Sequence, residues 1–197
     1  MIAIGGHPTP TASGGPPGRR YDPAVHTRLA APPDGEAIRA IYNVEVLSST
    51  NTFDMVPRTA AEQTAWLAEH NGVHPVIVAV EDAASATGHR GAEGQIVCGF
   101  GSLSPFRERS GYAATAENSV YVDRAHRGKG IGRLLLDDLI TLARQHGFHS
   151  LIARIAGHNE TSIGLHRALG FELVGVEREV GRKHRQWLDV VELQRLL

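Results

Sequence analysis

SVYVDRAHRGKGIGRLLL, residues Ser119–Leu136, decides how this chain is read. Val120-Tyr121-Val122 has the β-branched and aromatic content of a strand. An Arg- and Gly-rich loop follows, and then Ile131, Leu134, Leu135, Leu139 and Leu142 fall on one face of a helix. Glycines let a bound group approach the backbone, and the first N–H groups of a helix have no partners within it. An anion seated at that helix start gains hydrogen bonds and a favourable dipole. Arg127, Gly128, Lys129, Gly130, Ile131, Gly132 and Arg133 therefore read as a pyrophosphate site, with three basic side chains adding charge. Two other phosphate loops do not fit: Lys129 precedes the critical glycines, so there is no GxxxxGK[ST], and Gly130-Ile131-Gly132 runs into Arg-Leu-Leu rather than completing GxGxxG. The competing reading is a tight strand-to-helix turn with solvated basic side chains.

A length of 197 residues suits one domain with a sizeable core plus an extension. With 42% hydrophobic residues and a net charge of -1, general attraction to nucleic acid or an anionic membrane is not expected, and any basic function is local. Cys98 is the only cysteine, in the apolar run Ile96-Val97-Cys98-Gly99-Phe100, and reads as a buried, inert thiol. Residues 1–24, rich in Gly, Pro, Ser and Thr, read as a flexible extension rather than a signal peptide, leaving 25–197 as the domain. No apolar run approaches the ~20 residues that cross a bilayer, so the expectation is a cytoplasmic protein. Histidine pairs 70/74 and 146/149 lack a third ligand, and no metal is expected.

Upstream, Val25–Leu29 reads as a strand and Asp34 as the cap of a helix carrying Ile38, Ile41 and Tyr42. Thr59 and Glu62 have capping-box spacing for a second helix to about His70. Val76–Val80 and Gln95–Leu103 read as strands, as does Glu117–Val122. After the helix opening near Gly130 and closing at Gly147 come a strand at Ser150–Ile155 and a helix at Glu160–Leu169. Phe171–Glu177 and Gln186–Leu193 pair as a final hairpin. The order β-α-α-β-β-β-α-β-α-β-β predicts an α/β (α+β) fold, a mixed sheet with helices on its faces.

Arg127-x-x-Gly130-x-Gly132 after a Val-Tyr-Val strand resembles the acyl-CoA pyrophosphate loop of the GNAT superfamily of N-acetyltransferases. Asn159-Glu160-Thr161-Ser162, with Leu165-His166-Arg167-Ala168-Leu169-Gly170-Phe171, resembles that superfamily's later CoA-contacting segment. Ser104-Pro105-Phe106-Arg107, Thr115–Val122, Gly181-Arg182-Lys183 and Trp187-Leu188-Asp189 are similar to the phosphinothricin acetyltransferase family. The resemblance runs from about Thr27 to the C-terminus. It implies a sheet of about seven strands, splayed where the strand ending at Val122 and the strand near Ile152 part, with acetyl-CoA entering the gap as co-substrate. It also implies a homodimer, for which the hairpin with Trp187 is a plausible interface.

Acetyl transfer to an amine needs a group to take a proton, a donor for the developing oxyanion, and stabilisation of the departing sulfur. Glu117 matches the family's general base; an exposed strand-edge carboxylate is the alternative. Backbone N–H groups of Val120, Tyr121 and Val122 are the expected oxyanion donors, freed if the strand bulges beside the thioester. His166 occupies the position where many superfamily members carry an acidic Tyr, and is read either as general acid or as a structural histidine. Asn159 and Ser162 either cap their helix or contact the cofactor. Arg107 and Arg109, with Tyr112 and Phe53, either clamp an acidic amino-acid-like amine or form a solvated loop. Ala113-Ala114 replace the bulky residue usual in that loop, implying a larger pocket or another acceptor. The leading expectation is acetyl transfer to a phosphinothricin, methionine sulfoximine or methionine sulfone type of amine. The alternatives are another amine (a protein N-terminus, lysine or an aminoglycoside), an acyl-CoA sensor without catalysis, or a nucleotide-binding module.

Overall fold

The computed structural model describes residues 24–82 and 88–197. Seven strands form one sheet: β1 (Val25–Leu29), β2 (Val76–Glu81), β3 (Ile96–Pro105), β4 (Thr115–Val122), β5 (Ser150–Ala156), β6 (Glu172–Lys183) and β7 (Gln186–Leu196). Their spatial order is β1-β2-β3-β4-β5-β7-β6, and every neighbouring pair is antiparallel except β4 and β5. The helices are α1 (Gly35–Ser48), α2 (Ala60–Glu69), α3 (Ile131–Gln145) and α4 (Glu160–Ala168). The expected extension through residue 23 and the loop residues 83–87 lie outside the described residues.

The period-2 alternation of the strands sends side chains into two cores. On one face, Ile77, Cys98 and Leu103 pack with Leu135, Leu136 and Leu139 of α3 and Ile163 of α4. On the other, Val78, Val80 and Phe100 pack with Ile38, Ile41 and Tyr42 of α1. Each fully buried Leu or Ile stabilises the fold by about 1.5–3 kcal/mol. Gly99 and Gly101 on β3 permit this closeness: a Cβ on Gly101 would sit 2.8 Å from Leu139 Cδ1, and one on Gly99 2.7 Å from the Tyr121 carbonyl.

Thr59 caps α2 as expected, accepting from the Glu62 N–H while the Glu62 carboxylate takes the Thr59 N–H. Asp34 does not cap α1 with its side chain. Its buried carboxylate instead takes both ends of the Arg28 guanidinium, at 2.7 and 3.0 Å, and the N–H groups of Ala31 and Ala92. A charged bidentate partner on the adjacent strand outcompetes a neutral helix amide.

One feature of the sheet positions the site. β4 and β5 are in register only from Thr115/Ser150 to Glu117/Ile152, and beyond Glu117 no pairing joins them. The expected splay is there. β4 keeps an unbroken register with β3 from Ala116 to Val122, so no bulge interrupts it. The expectation of a bulge is corrected: what leaves the outer edge of β4 without a strand partner at Val120–Val122 is the departure of β5.

Candidate active site

The opening between β4 and β5 holds a cavity of about 410 Å³. Its walls are β4 from Asn118 to Val122, β5 from Ala153 to Ala156, the turn and helix start around Arg127–Arg133, and Asn159, Ser162, Leu165 and His166 of the α4 segment. Glu45 of α1 and Asn51 close it from the other face of the sheet. Most residues read as cofactor contacts therefore meet in one place. Lys129 does not line the cavity, nor do Glu117, Phe53, Arg107, Arg109 and Tyr112.

The turn has the shape an anion needs. Gly130 is the N-cap of α3 with φ of +82°, and Gly128 has φ of +78°. Left-handed conformations cost little only for glycine. With no side chain on Gly130 to cap the helix, the N–H groups of its first turn are open to a ligand. Gly132 serves close packing instead: a Cβ there would lie 3.4 Å from Leu165, joining α3 to α4.

Glu45 went unread in the sequence. It is buried near the end of α1, and its Oε1 accepts from Arg124 at 2.9 Å and Arg127 at 2.8 Å, while Asn51 donates to Oε2. Burial favours the neutral acid, but polar groups of Ser49 and Asn51 and the two arginine charges prevail and hold the carboxyl at about 2. Arg127 is thus anchored by a carboxylate and by the Val122 carbonyl at 3.3 Å. Its charge is aimed, and only the fold brings in an acid some 80 residues away.

Glu117 is the last β4 residue paired with β5, and its cross-strand neighbour on β3 is Ser104. Alternation puts it on the opposite face of β4 from Asn118, the side that carries Tyr121. Burial pushes its carboxyl above the ordinary range; the Arg154 charge opposes this and Glu192 adds to it. Tyr121 packs as an aromatic, stacked on Phe100 at 5.1 Å and edge-on to Tyr42 at 5.2 Å.

On α4, Asn159 Oδ1 accepts from the Ser162 N–H at 3.1 Å, so the capping reading holds while both residues also face the cavity. His166 is buried with both ring nitrogens engaged: Nδ1 lies 2.8 Å from the Ser162 carbonyl oxygen and Nε2 2.9 Å from Asn118 Nδ2. Burial lowers its pKa, against the raising effect of the Ser162 carbonyl.

The Arg107 guanidinium stands 4.8 Å from the Phe106 ring and 5.3 Å from the Tyr112 ring, in the exposed loop between β3 and β4, and Arg109 is exposed beside them. Phe53 lies against the bare backbone of Gly181 on β6, where a Cβ would fall 2.3 Å from the ring. Cys98 is fully buried, which pushes its thiol up to about 12. Among the described residues, ligand atoms of Glu81, Cys98 and His126 lie within 4.8 Å of one another; His126 there pairs with Glu81 and Asp123, both at 3.3 Å.

Residues 38–171 match the model of the acetyltransferase (GNAT) family. The chain belongs to the GNAT family. It is 39% identical to an L-methionine sulfoximine/L-methionine sulfone acetyltransferase of Pseudomonas paraeruginosa, over 85% of this chain and 91% of that protein. It is 35% identical to a phosphinothricin N-acetyltransferase of Streptomyces coelicolor, over 88% of this chain and 96% of that one. A GNAT superfamily phosphinothricin acetyltransferase of Sinorhizobium meliloti, solved with acetyl-CoA, superposes with a TM-score of 0.79 at 36% identity, covering 88% and 89% of the two chains. This GNAT protein is an acetyl-CoA-dependent N-acetyltransferase, and the β4–β5 opening with its glycine turn fits that co-substrate.

Proposed function

We propose that this acetyltransferase acts on the primary amine of a small amino-acid-like substrate with an acidic group, of the phosphinothricin, methionine sulfoximine or methionine sulfone type. The observation that carries the reaction is the placement of Glu117, a half-buried carboxyl at the fork where β4 and β5 part. The relatives' substrates support the acceptor class. So does the Arg107 loop, which continues from Ser104, the cross-strand neighbour of Glu117. An arginine beside an aromatic ring suits a planar or tetrahedral acid group.

In this reading the phosphate turn, with Arg127, Lys129 and Arg133, holds the diphosphate, and Asn159 and Ser162 flank the pantetheine arm. Glu117 takes a proton from the ammonium, directly or through water. The amine nitrogen then attacks the thioester carbonyl in a ternary complex, and the oxyanion is met by an N–H on the unpaired edge of Val120–Val122. The C–N bond forms, the C–S bond breaks, the electron pair leaves on sulfur on the side where His166 sits, and the second proton lost by the amine nitrogen ends on that thiolate to give the CoA thiol. No metal enters this scheme, and a cytoplasmic setting goes with the co-substrate. A homodimer through β6 and β7 accords with the exposure of Leu173, Val174, Val176, Val180 and Trp187 on that hairpin. A sedimentation mass of one chain at micromolar concentration would remove the dimer.

Thiol release from acetyl-CoA, measured across phosphinothricin, methionine sulfoximine, methionine sulfone and polyamines, tests the acceptor. Turnover of an acidic analogue is expected, and turnover of polyamines alone would overturn the class. Glu117→Gln is expected to lose about 10²–10⁴-fold in kcat/KM, with acetyl-CoA affinity retained. Full activity in that variant would remove Glu117 from the mechanism.

A further inference from the structure

The contact between β4 and α4 inside the cavity has a consequence for the chemistry of His166. The Ser162 carbonyl at 2.8 Å can only accept, so Nδ1 carries a hydrogen. If the ring is neutral, Nε2 is then a lone pair, and Asn118 must offer it the Nδ2 amide hydrogen across 2.9 Å. That orientation leaves Asn118 Oδ1 buried with no hydrogen-bond partner, on a residue only 5% exposed that lines the acetyl-CoA cavity. A buried acceptor left unpaired costs about 1–3 kcal/mol. Turning the carboxamide by half a turn lets Oδ1 accept from the ring only if Nε2 also carries a hydrogen, and it moves the Nδ2 group into the place where Oδ1 found no partner. The two orientations of one amide thus correspond to the two charge states of one imidazole.

We propose that Asn118 is a positioning residue for acetyl transfer, which holds His166 as the neutral Nδ1–H tautomer and by its rotation governs whether Nε2 takes up a proton. The inference rests on the acetyltransferase reading above and adds to it a control on the ring. In its resting state His166 enters the reaction with no hydrogen on Nε2 to give to the sulfur. Charged groups elsewhere do not fill this role. Arg127, Arg133 and Arg154 and the carboxylate of Glu45 share the cavity, Glu160 and Arg167 share α4, and Glu117 lies across β4. Among the described residues, the hydrogen bonds to the ring come only from Asn118 and Ser162.

The decisive measurement is the ring's own titration by nitrogen and Cε1–H NMR, assigned by difference with His166→Gln and made on the free enzyme. At neutral pH the wild type should show a protonated Nδ1 and a bare Nε2; an Nε2–H tautomer or a charged ring would overturn the proposal without any Asn118 variant. Asn118→Asp presents only acceptors and should raise the ring's titration by about 1–3 pH units. The pH dependence of kcat should change with it, and His166→Gln in the same background should abolish that change. A ring that titrates unchanged in Asn118→Asp, or a kcat profile unmoved while the ring has shifted, overturns the proposal. Because the NMR arm needs no substrate, failure to acetylate the acidic analogues would sink the acceptor reading while leaving the Asn118–His166 coupling to be judged on its own result.

Discussion

Glu117 has two charged neighbours that act on it in opposite directions once burial has raised its pKa: Arg154 lowers it and Glu192 raises it. In the role of general base proposed for it, Glu117 works only when ionised, so the acid limb of kcat/KM should follow its pKa. Glu192→Gln removes a charge that favours the protonated acid, and activity should persist to lower pH. Arg154→Gln removes one that favours the carboxylate, and the limb should move to higher pH, with the plateau of each variant within about tenfold of wild type. Limbs that shift together, or not at all, would show that another group limits the profile. Glu117 and the glycines of the turn could be singled out because each lies inside a contiguous motif, Thr115–Val122 or Arg127–Gly132. Glu45 and Asn118 were not legible as site residues, because their partners Arg124, Arg127 and His166 lie 79, 82 and 48 positions away. No local pattern announces an acid or an amide whose meaning depends on such a partner.

At the scale of elements, sequence reading succeeds where an element's own period or cap declares it and fails where a neighbour decides. α3 carries its stripe in the spacing of its leucines, and α2 its capping box. The parting of β4 from β5 is a relation between two strands, and only the family resemblance anticipated it. β6 was read too short, at Phe171–Glu177, because its residues are almost all exposed and the 2-residue alternation is lost. Two glycines on the helices that frame the cavity should respond oppositely to substitution. Gly130 has φ of +82°, so Gly130→Val forces a β-branched residue into the left-handed region at a cost of roughly 1–2 kcal/mol. It should also tilt the opening N–H groups of α3 away from the anion, raising the KM for acetyl-CoA by about tenfold or more. Gly164 lies within α4, and a Cβ there would meet nothing within 4 Å. Gly164→Ala should stabilise the protein by up to about 1 kcal/mol, with acetyl-CoA kinetics unchanged. Thermal unfolding and initial rates on the two variants check both; a neutral Gly130→Val would mean the turn tolerates another backbone.

Across the whole molecule, the sheet separates two cores, and histidine rings are withdrawn from solvent on both sides of it, His166 fully and His70 partly. His166 lies on the α3/α4 side, and His70, at the end of α2, binds the Trp66 carbonyl and Ser104 on the other. His74 packs on Phe148. For all three, burial is the largest effect and lowers the pKa. Further lowering comes from Arg58 on His70, and from His70 and His146 on His74. The sign of the linkage follows. As pH falls below the unfolded value of about 6.5, the unfolded chain takes up protons that the folded one still refuses, so stability drops. The loss ends only when the lowered native pKa values are reached. Carboxylates held low, those of Asp34 and Glu45, remove stability in the same direction, but only at more acid pH. Between about pH 7 and 5.5, therefore, the histidines should account for the loss, read as a melting temperature falling by about 2–4 °C per kcal/mol. His70→Gln and His166→Gln should each flatten that slope whatever they do to absolute stability. A melting temperature constant across the interval in the unaltered protein would mean that these rings are as ready to take a proton folded as unfolded.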